Sequence, residues 1–144
     1  MDTQFPQVPD RRGALRPAPT VLLVEDEAAL RSALVRQLEA RDYRVIPAAS
    51  GHEALAILKE KGLTIDLLLT DVMMPGLLGP ELVAITRLRW PAVGCVYMTG
   101  GADDRALQLI QASDTPWLKK PFTSAELREA LEAVLRYAYA QAAL

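Results

Sequence analysis

The stretch Ile65-Asp66-Leu67-Leu68-Leu69-Thr70-Asp71-Val72-Met73-Met74-Pro75-Gly76 constrains the fold more than any other part of the chain. Its apolar run from Ile65 to Leu69, broken only by Asp66, reads as a buried strand. Pro75 and Gly76 force a turn, so the strand cannot continue much past Val72. One carboxylate, Asp71, is thereby delivered to the strand's C-terminal end. In open α/β sheets, chemistry sits in the crevice beyond the carboxyl ends of the strands. The plain alternative is an acidic turn residue, and the rest of the chain must decide between the two.

Composition narrows the field. At 144 residues the chain is most simply one domain, long enough to bury a continuous core. Hydrophobic residues make up 51% of it, yet no apolar run approaches the ~20 residues of a membrane span. Residues 1 to 20 contain no apolar segment of the kind a secretory signal needs. A lone cysteine, Cys95, excludes a disulfide framework, and a lone histidine, His52, argues against a histidine metal cluster or a Ser-His-Asp triad. The net charge of −2 offers no electrostatic footprint for nucleic acid. A soluble, cytoplasmic domain with no direct nucleic-acid or membrane partner is the starting point.

The first 19 residues mix Pro6, Pro9, Pro17 and Pro19 with Arg11, Arg12, Gly13 and Arg16, a composition that predicts a flexible tail rather than a packed element. The folded domain is expected over residues 20 to 144. Strands are predicted at Thr20–Val24, Tyr43–Ile46, Ile65–Leu69, Val93–Met98 and Thr115–Leu118. Helical spacing of apolar residues predicts helices between them and after the last, one carrying Leu30, Leu34, Val35 and Leu38 and the final one Leu127, Leu131, Val134 and Leu135. The fourth helix, over about Ala102 to Ala112, has the weakest pattern, and the fifth can run on through Tyr137 and Tyr139 towards Leu144. Ser50 with Glu53, and the Thr123-Ser124-Ala125-Glu126 run, have the capping-box pattern. Lys61-Gly62 looks like a helix end, with a basic last turn and a closing glycine. Pro80 suits a first helical turn, and Trp90-Pro91 closes that helix. Five strand–helix units imply a parallel sheet covered by helices on both faces.

This alternation brings the strand ends together along one edge. They carry Glu25 with Asp26, then Asp71, Thr99 and Lys120. Two carboxylates ~4 Å apart repel by ~4 kcal/mol at an effective dielectric near 20. Three together raise at least one pKa unless a cation sits among them. An all-oxygen donor set favours a hard divalent ion, with Mg2+ as the cellular default. The competing reading of Glu25-Asp26-Glu27 is an acidic first helical turn that complements the helix dipole.

Four motifs resemble the receiver domains of two-component response regulators: Val-Leu-Leu-Val-Glu-Asp-Glu (21–27), Leu-Leu-Leu-Thr-Asp-Val-Met-Met-Pro-Gly (67–76), Tyr-Met-Thr-Gly (97–100) and Leu-Lys-Lys-Pro-Phe (118–122). The resemblance covers about Val21 to Leu135. Gly-Pro-Glu-Leu (79–82) and Tyr-Met-Thr-Gly further resemble receivers attached to hybrid histidine kinases. The resemblance implies a doubly wound, flavodoxin-like (βα)5 fold with strand order 2-1-3-4-5. It implies Asp71 as phosphoryl acceptor, Lys120 and Thr99 as partners of the phosphoryl oxygens, and Mg2+ held by Asp26, Asp71, the Met73 carbonyl and, mainly through water, Glu25. Lys119 rivals Lys120, but the family's lysine directly precedes the proline, and Lys119 should point the other way on an extended segment. The Lys120–Pro121 bond is commonly cis in that family. The donor is a phosphohistidine on a histidine kinase or a histidine phosphotransfer domain. The output is a switch in which Thr99 moves inward and an aromatic, here Trp117, follows it, altering a surface of the fourth helix, fifth strand and fifth helix for a downstream protein partner. A homodimer is a further partner left open.

The chain departs from that pattern at Trp117, where Tyr or Phe is usual and a partly exposed cover of the core is the rival role, and at Gly100, where alanine is common. At Met73 an apolar side chain cannot orient a hydrolytic water, so self-dephosphorylation is expected to be slow. Cys95 is read as a core hydrophobe, and His52 as a residue of a solvated helix face. Two other functions remain in view. One is a receiver-like interaction module that works without phosphorylation, although it needs none of Asp71, Asp26, Thr99 and Lys120. The other is an aspartate-nucleophile phosphatase, which wants a second carboxylate where Met73 stands. The expected identity is therefore a signalling domain that assists its own phosphorylation and dephosphorylation, not an enzyme on a separate substrate. With no output domain after the last helix, it reads as a stand-alone receiver or one cut from a larger kinase.

Overall fold

The computed structural model describes residues 7–9, 15–100, 104–111 and 113–142, with side chains from 18 to 136 within those ranges. Strands and helices alternate from Thr20 onward: β1 (Thr20–Val24), α1 (Ala28–Glu39), β2 (Arg44–Ala48), α2 (Gly51–Lys61), β3 (Leu67–Asp71), α3 (Gly79–Arg89), β4 (Gly94–Gly100), α4 (Asp104–Gln111), β5 (Trp117–Lys120) and α5 (Ser124–Ala142). The strands form one parallel sheet in the order β2-β1-β3-β4-β5, as the resemblance implied. Among the described residues, no helix is long and apolar enough to cross a membrane.

The strands are apolar on both faces because both faces are covered. Successive side chains alternate across a strand, so Leu22, Leu68, Cys95 and Tyr97 face one way and pack with Ala54 and Leu58 of α2, Leu82 and Val83 of α3, and Ala106 and Ile110 of α4. Val21, Leu23, Leu67, Leu69, Val96 and Met98 face the other way, against Leu34 and Leu38 of α1 and Leu127 and Leu131 of α5. Cys95 is thus a core residue, as expected. Asp66 is more than an interruption of the apolar run: its carboxylate accepts the Thr20 N–H at 2.8 Å and ties the starts of β1 and β3 together.

Several expected boundaries shift. The second strand begins at Arg44 rather than Tyr43 and continues through Pro47, since an edge strand tolerates a residue without an N–H. The fourth runs on to Gly100, where it pairs with Lys120. The fifth starts at Trp117 rather than Thr115. The hydroxyl of Thr115 accepts hydrogen bonds from Arg87 (2.6 Å) and Ser113 (2.8 Å), and these side chains lock a turn before the ladder begins. Gly62 follows α2 as expected, but at φ −54 rather than in the left-handed region, and a short 3-10 turn continues over Gly62–Thr64. A glycine is required there for space, because a Cβ would fall on the indole of Trp90. Ahead of the sheet, Gln7–Pro9 and Leu15–Pro17 pair antiparallel, an element that the composition did not suggest. The expectations placed on Pro6, Arg11, Arg12, Gly13, Ala102, Ala112 and Leu144, and on the side chains of Tyr137 and Tyr139, lie outside the described residues.

Candidate functional site

The carboxyl ends of four strands meet at one pocket. Glu25 and Asp26 follow β1, and the Glu25 N–H donates to the Ala48 carbonyl at 3.1 Å, so the β1–β2 ladder carries Glu25 to the sheet edge. Asp71 is the last residue of β3, and the next N–H, of Val72, donates to the Met98 carbonyl at 3.0 Å. Thr99 lies near the end of β4 and Lys120 ends β5. With Met73 these residues line a cavity of about 300 Å³.

The carboxylates of Glu25, Asp26 and Asp71 offer oxygens that all lie within 4.8 Å of one another. Glu25 and Asp71 are buried, while Asp26 is exposed at the mouth. Lys120 reaches across 95 residues of sequence, placing Nζ 2.9 Å from Glu25 Oε2 and 2.5 Å from Asp71 Oδ1. Lys119 is exposed, as the pleat requires of its neighbour. The Lys120–Pro121 bond is cis. The hydroxyl of Thr99 is buried and has no hydrogen-bond partner among the described residues. A buried hydroxyl costs free energy unless something occupies it.

Burial pushes the Asp71 carboxyl up to about 8, and its hydrogen bond and negative charge shared with Glu25 add to this, while Lys120 acts the other way. Burial also opposes the charge on Lys120, but its hydrogen bonds to Asp71 and Glu25 outweigh that and raise its pKa. With Asp71 ionised, three carboxylates would face one ammonium and leave an excess of negative charge in a confined space, in keeping with the raised Asp71 carboxyl. The donor set is hard and all-oxygen, so the residues present fit a divalent cation of the Mg2+ type.

Other expected residues fall outside this group. Trp117 is 42% exposed on β5 and does not line the pocket. His52 is exposed on α2. Two contributors escaped the sequence reading. Arg31, on α1, turns its guanidinium back to donate to the Glu25 carbonyl at 2.9 Å. Thr70, inside an apolar run, donates its hydroxyl to the Asp71 carbonyl at 3.0 Å. The only signal for Arg31 was its place one turn into the helix that follows the acidic pair, and Thr70 left none.

Comparison with known proteins agrees with this geometry. The response regulator receiver domain family matches residues 21–132. The chain is 39% identical over 117 residues to the sensor kinase CckA of Brucella abortus, an alignment covering 81% of this chain and 12% of that kinase. Among solved structures, the receiver domain of the hybrid histidine kinase CckA superposes with a TM-score of 0.68 at 37% identity, covering 81% of this chain and 98% of that one. A response regulator receiver domain from Clostridium thermocellum superposes with a TM-score of 0.78 at 25% identity, covering 85% and 98%. With four strand ends converging on an acidic pocket and a family match over most of its length, the chain belongs to the response regulator receiver domains of two-component signalling.

Proposed function

We propose that the chain is a phosphoacceptor receiver in a two-component phosphorelay, with Asp71 as the acceptor. The observation that carries this reading is the double ion pair of Lys120 with Asp71 and Glu25, beside a buried Thr99 hydroxyl that lacks a partner. The donor is a phosphohistidine on a histidine kinase or a histidine phosphotransfer domain. An ionised Asp71 oxygen attacks phosphorus, the P–N bond breaks, and its electron pair leaves with the imidazole. Lys120 needs little movement from Asp71 Oδ1 to pair with a phosphoryl oxygen, and the free Thr99 hydroxyl donates to another. Asp26, Asp71, the Met73 carbonyl and, through water, Glu25 would hold Mg2+, which would supply positive charge that favours ionised Asp71 and offsets charge on the phosphoryl group. Catalysis is then positioning and charge neutralisation, as phosphoryl transfer generally requires. The Met73 side chain orients no water, so the aspartyl phosphate decays slowly.

The domain so defined spans residues 20 to 144, preceded by a tail, and works in the cytoplasm. Its output is the Thr99–Trp117 switch, read by a downstream protein on α4, β5 and α5. The test is incubation with acetyl phosphate, with and without Mg2+, beside an Asp71→Asn control, read by intact mass. The expected result is a Mg2+-dependent gain of one phosphoryl group that the variant lacks. No gain, even from a phosphorylated kinase domain, would replace this reading with an interaction module that is never phosphorylated.

A further inference from the structure

We infer that the first turn of α2, through Gly51 and His52, is a clamp that sets the position of the β3–α3 loop and so of the Met73 carbonyl. The inference rests on the Mg2+ site proposed above, and it concerns residues that touch neither the ion nor the phosphoryl group.

The loop of residues 72–78 is pinned at both ends by close backbone approaches. At its far end, a Cβ on Gly79 would fall on the Asp71 carbonyl oxygen and lie 2.9 Å from the Val72 Cα. The Gly79 N–H donates to the Val72 carbonyl at 2.9 Å, so the start of α3 sits directly on the end of β3. Between these anchors, the loop bends at Gly76, whose φ of +79 lies in the left-handed region that favours glycine. There α2 meets it. A Cβ on Gly51 would sit 2.8 Å from the Leu77 carbonyl oxygen and 2.9 Å from the Leu77 Cβ. A Cβ on Gly76 would sit 3.4 Å from Cδ2 and 3.5 Å from Nε2 of His52. The imidazole therefore lies across the bend, and Leu77 packs beneath the helix's first residue.

The helix that carries the clamp is capped and anchored. Ser50 accepts the Glu53 N–H at 3.1 Å, Glu53 accepts the Ala49 N–H at 3.0 Å, and Ala54 and Leu58 anchor α2 in the core. A side-chain ligand can adjust by changing rotamer, but a backbone carbonyl moves only with its loop. Met73 and Met74 pack on the core, and fixing residues 76 and 77 as well limits how the loop carrying the Met73 carbonyl can move. This gives His52 a positioning role through the packing of its ring atoms Cδ2 and Nε2 against the bend rather than through its protons.

The experiment titrates Mg2+ alone, without phosphodonor, into the wild type and three variants: Gly51→Ala, His52→Ala and His52→Phe. Calorimetry reads affinity, and the Met73 amide resonance reads the loop. Gly51→Ala and His52→Ala should bind Mg2+ roughly tenfold more weakly, the size of effect typical of groups that orient metal ligands. Both should displace the Met73 amide before any metal is added. His52→Phe keeps a flat ring against Gly76 and should bind as the wild type does. Wild-type affinity in His52→Ala overturns the clamp even if Gly51→Ala fails to fold, and so does a loss that His52→Phe does not restore. Failure of the wild type itself to bind Mg2+ would instead overturn the underlying metal site.

Discussion

Asp71 is 4% exposed, and its carboxyl is held up to about 8 chiefly by burial. Its folded-state pKa lies above the unfolded value, so the native state binds the extra proton between about pH 4 and 8. This group's contribution to stability is most favourable below that window and is lost as pH rises through it. In EDTA, the wild type should therefore lose stability from pH 5 to 8 faster than Asp71→Asn does. The difference in slope is bounded by one proton, about 1.4 kcal/mol per pH unit. Urea denaturation of both proteins at several pH values checks this, and equal slopes would contradict the buried carboxylate. The same residue scale separates Lys120 from Lys119: the two are chemically alike, and the alternation of an extended chain sends one into the pocket and the other to solvent.

At the scale of elements, the helix starts were the most legible features. Ser50 caps α2, and Thr123 and Glu126 exchange hydrogen bonds at the start of α5, at 3.0 and 3.3 Å. Such caps are local, made between residues three apart, so a short window of sequence contains both partners. Gly62 was legible as a boundary but not for its reason. Helix propensity alone forecasts that Gly62→Ala stabilises by up to about 1 kcal/mol. The Trp90 indole occupies the space a Cβ needs, and overpacking of this kind costs roughly 1–3 kcal/mol. The variant should thus be destabilised, with a lower urea midpoint than the wild type. A raised midpoint would mean the indole moves aside freely. Trp90 also stacks under Arg89, whose guanidinium carbon is 4.7 Å from the ring centroid, which favours its staying in place.

For the whole molecule, the proposed phosphorylation raises the question of how a charge added at Asp71 would reach the surface. Thr99 and Trp117 sit on neighbouring strands, Thr99 in register with Lys119 and Trp117 with Tyr97. Thr99 is buried and unpartnered, while Trp117 stands in solvent. Driving such a two-state equilibrium from one side to the other takes about 5.5 kcal/mol, a scale that a few charge-assisted hydrogen bonds to phosphoryl oxygens approach. If the indole follows Thr99 inward, its emission in a Trp90→Phe background should shift to shorter wavelength on adding acetyl phosphate and Mg2+. The shift should be absent from Thr99→Ala. Unchanged emission from a protein shown by mass to be phosphorylated would remove Trp117 from the switch.

The sequence by itself determined the order of the elements, the two-sided burial of the sheet and the strand ends that carry Glu25, Asp26, Asp71, Thr99 and Lys120. Each of these is written in local periodicity, in caps, or in motifs a few residues long. Only the tertiary structure decided that Lys120 bridges Glu25 and Asp71, that Arg31 turns back to the Glu25 carbonyl, that side chains before Trp117 delay β5, and that Gly51 and Gly62 are glycines for lack of room. These contacts join segments far apart along the chain. Their distances follow from how helices settle on the sheet, which no single window of sequence contains.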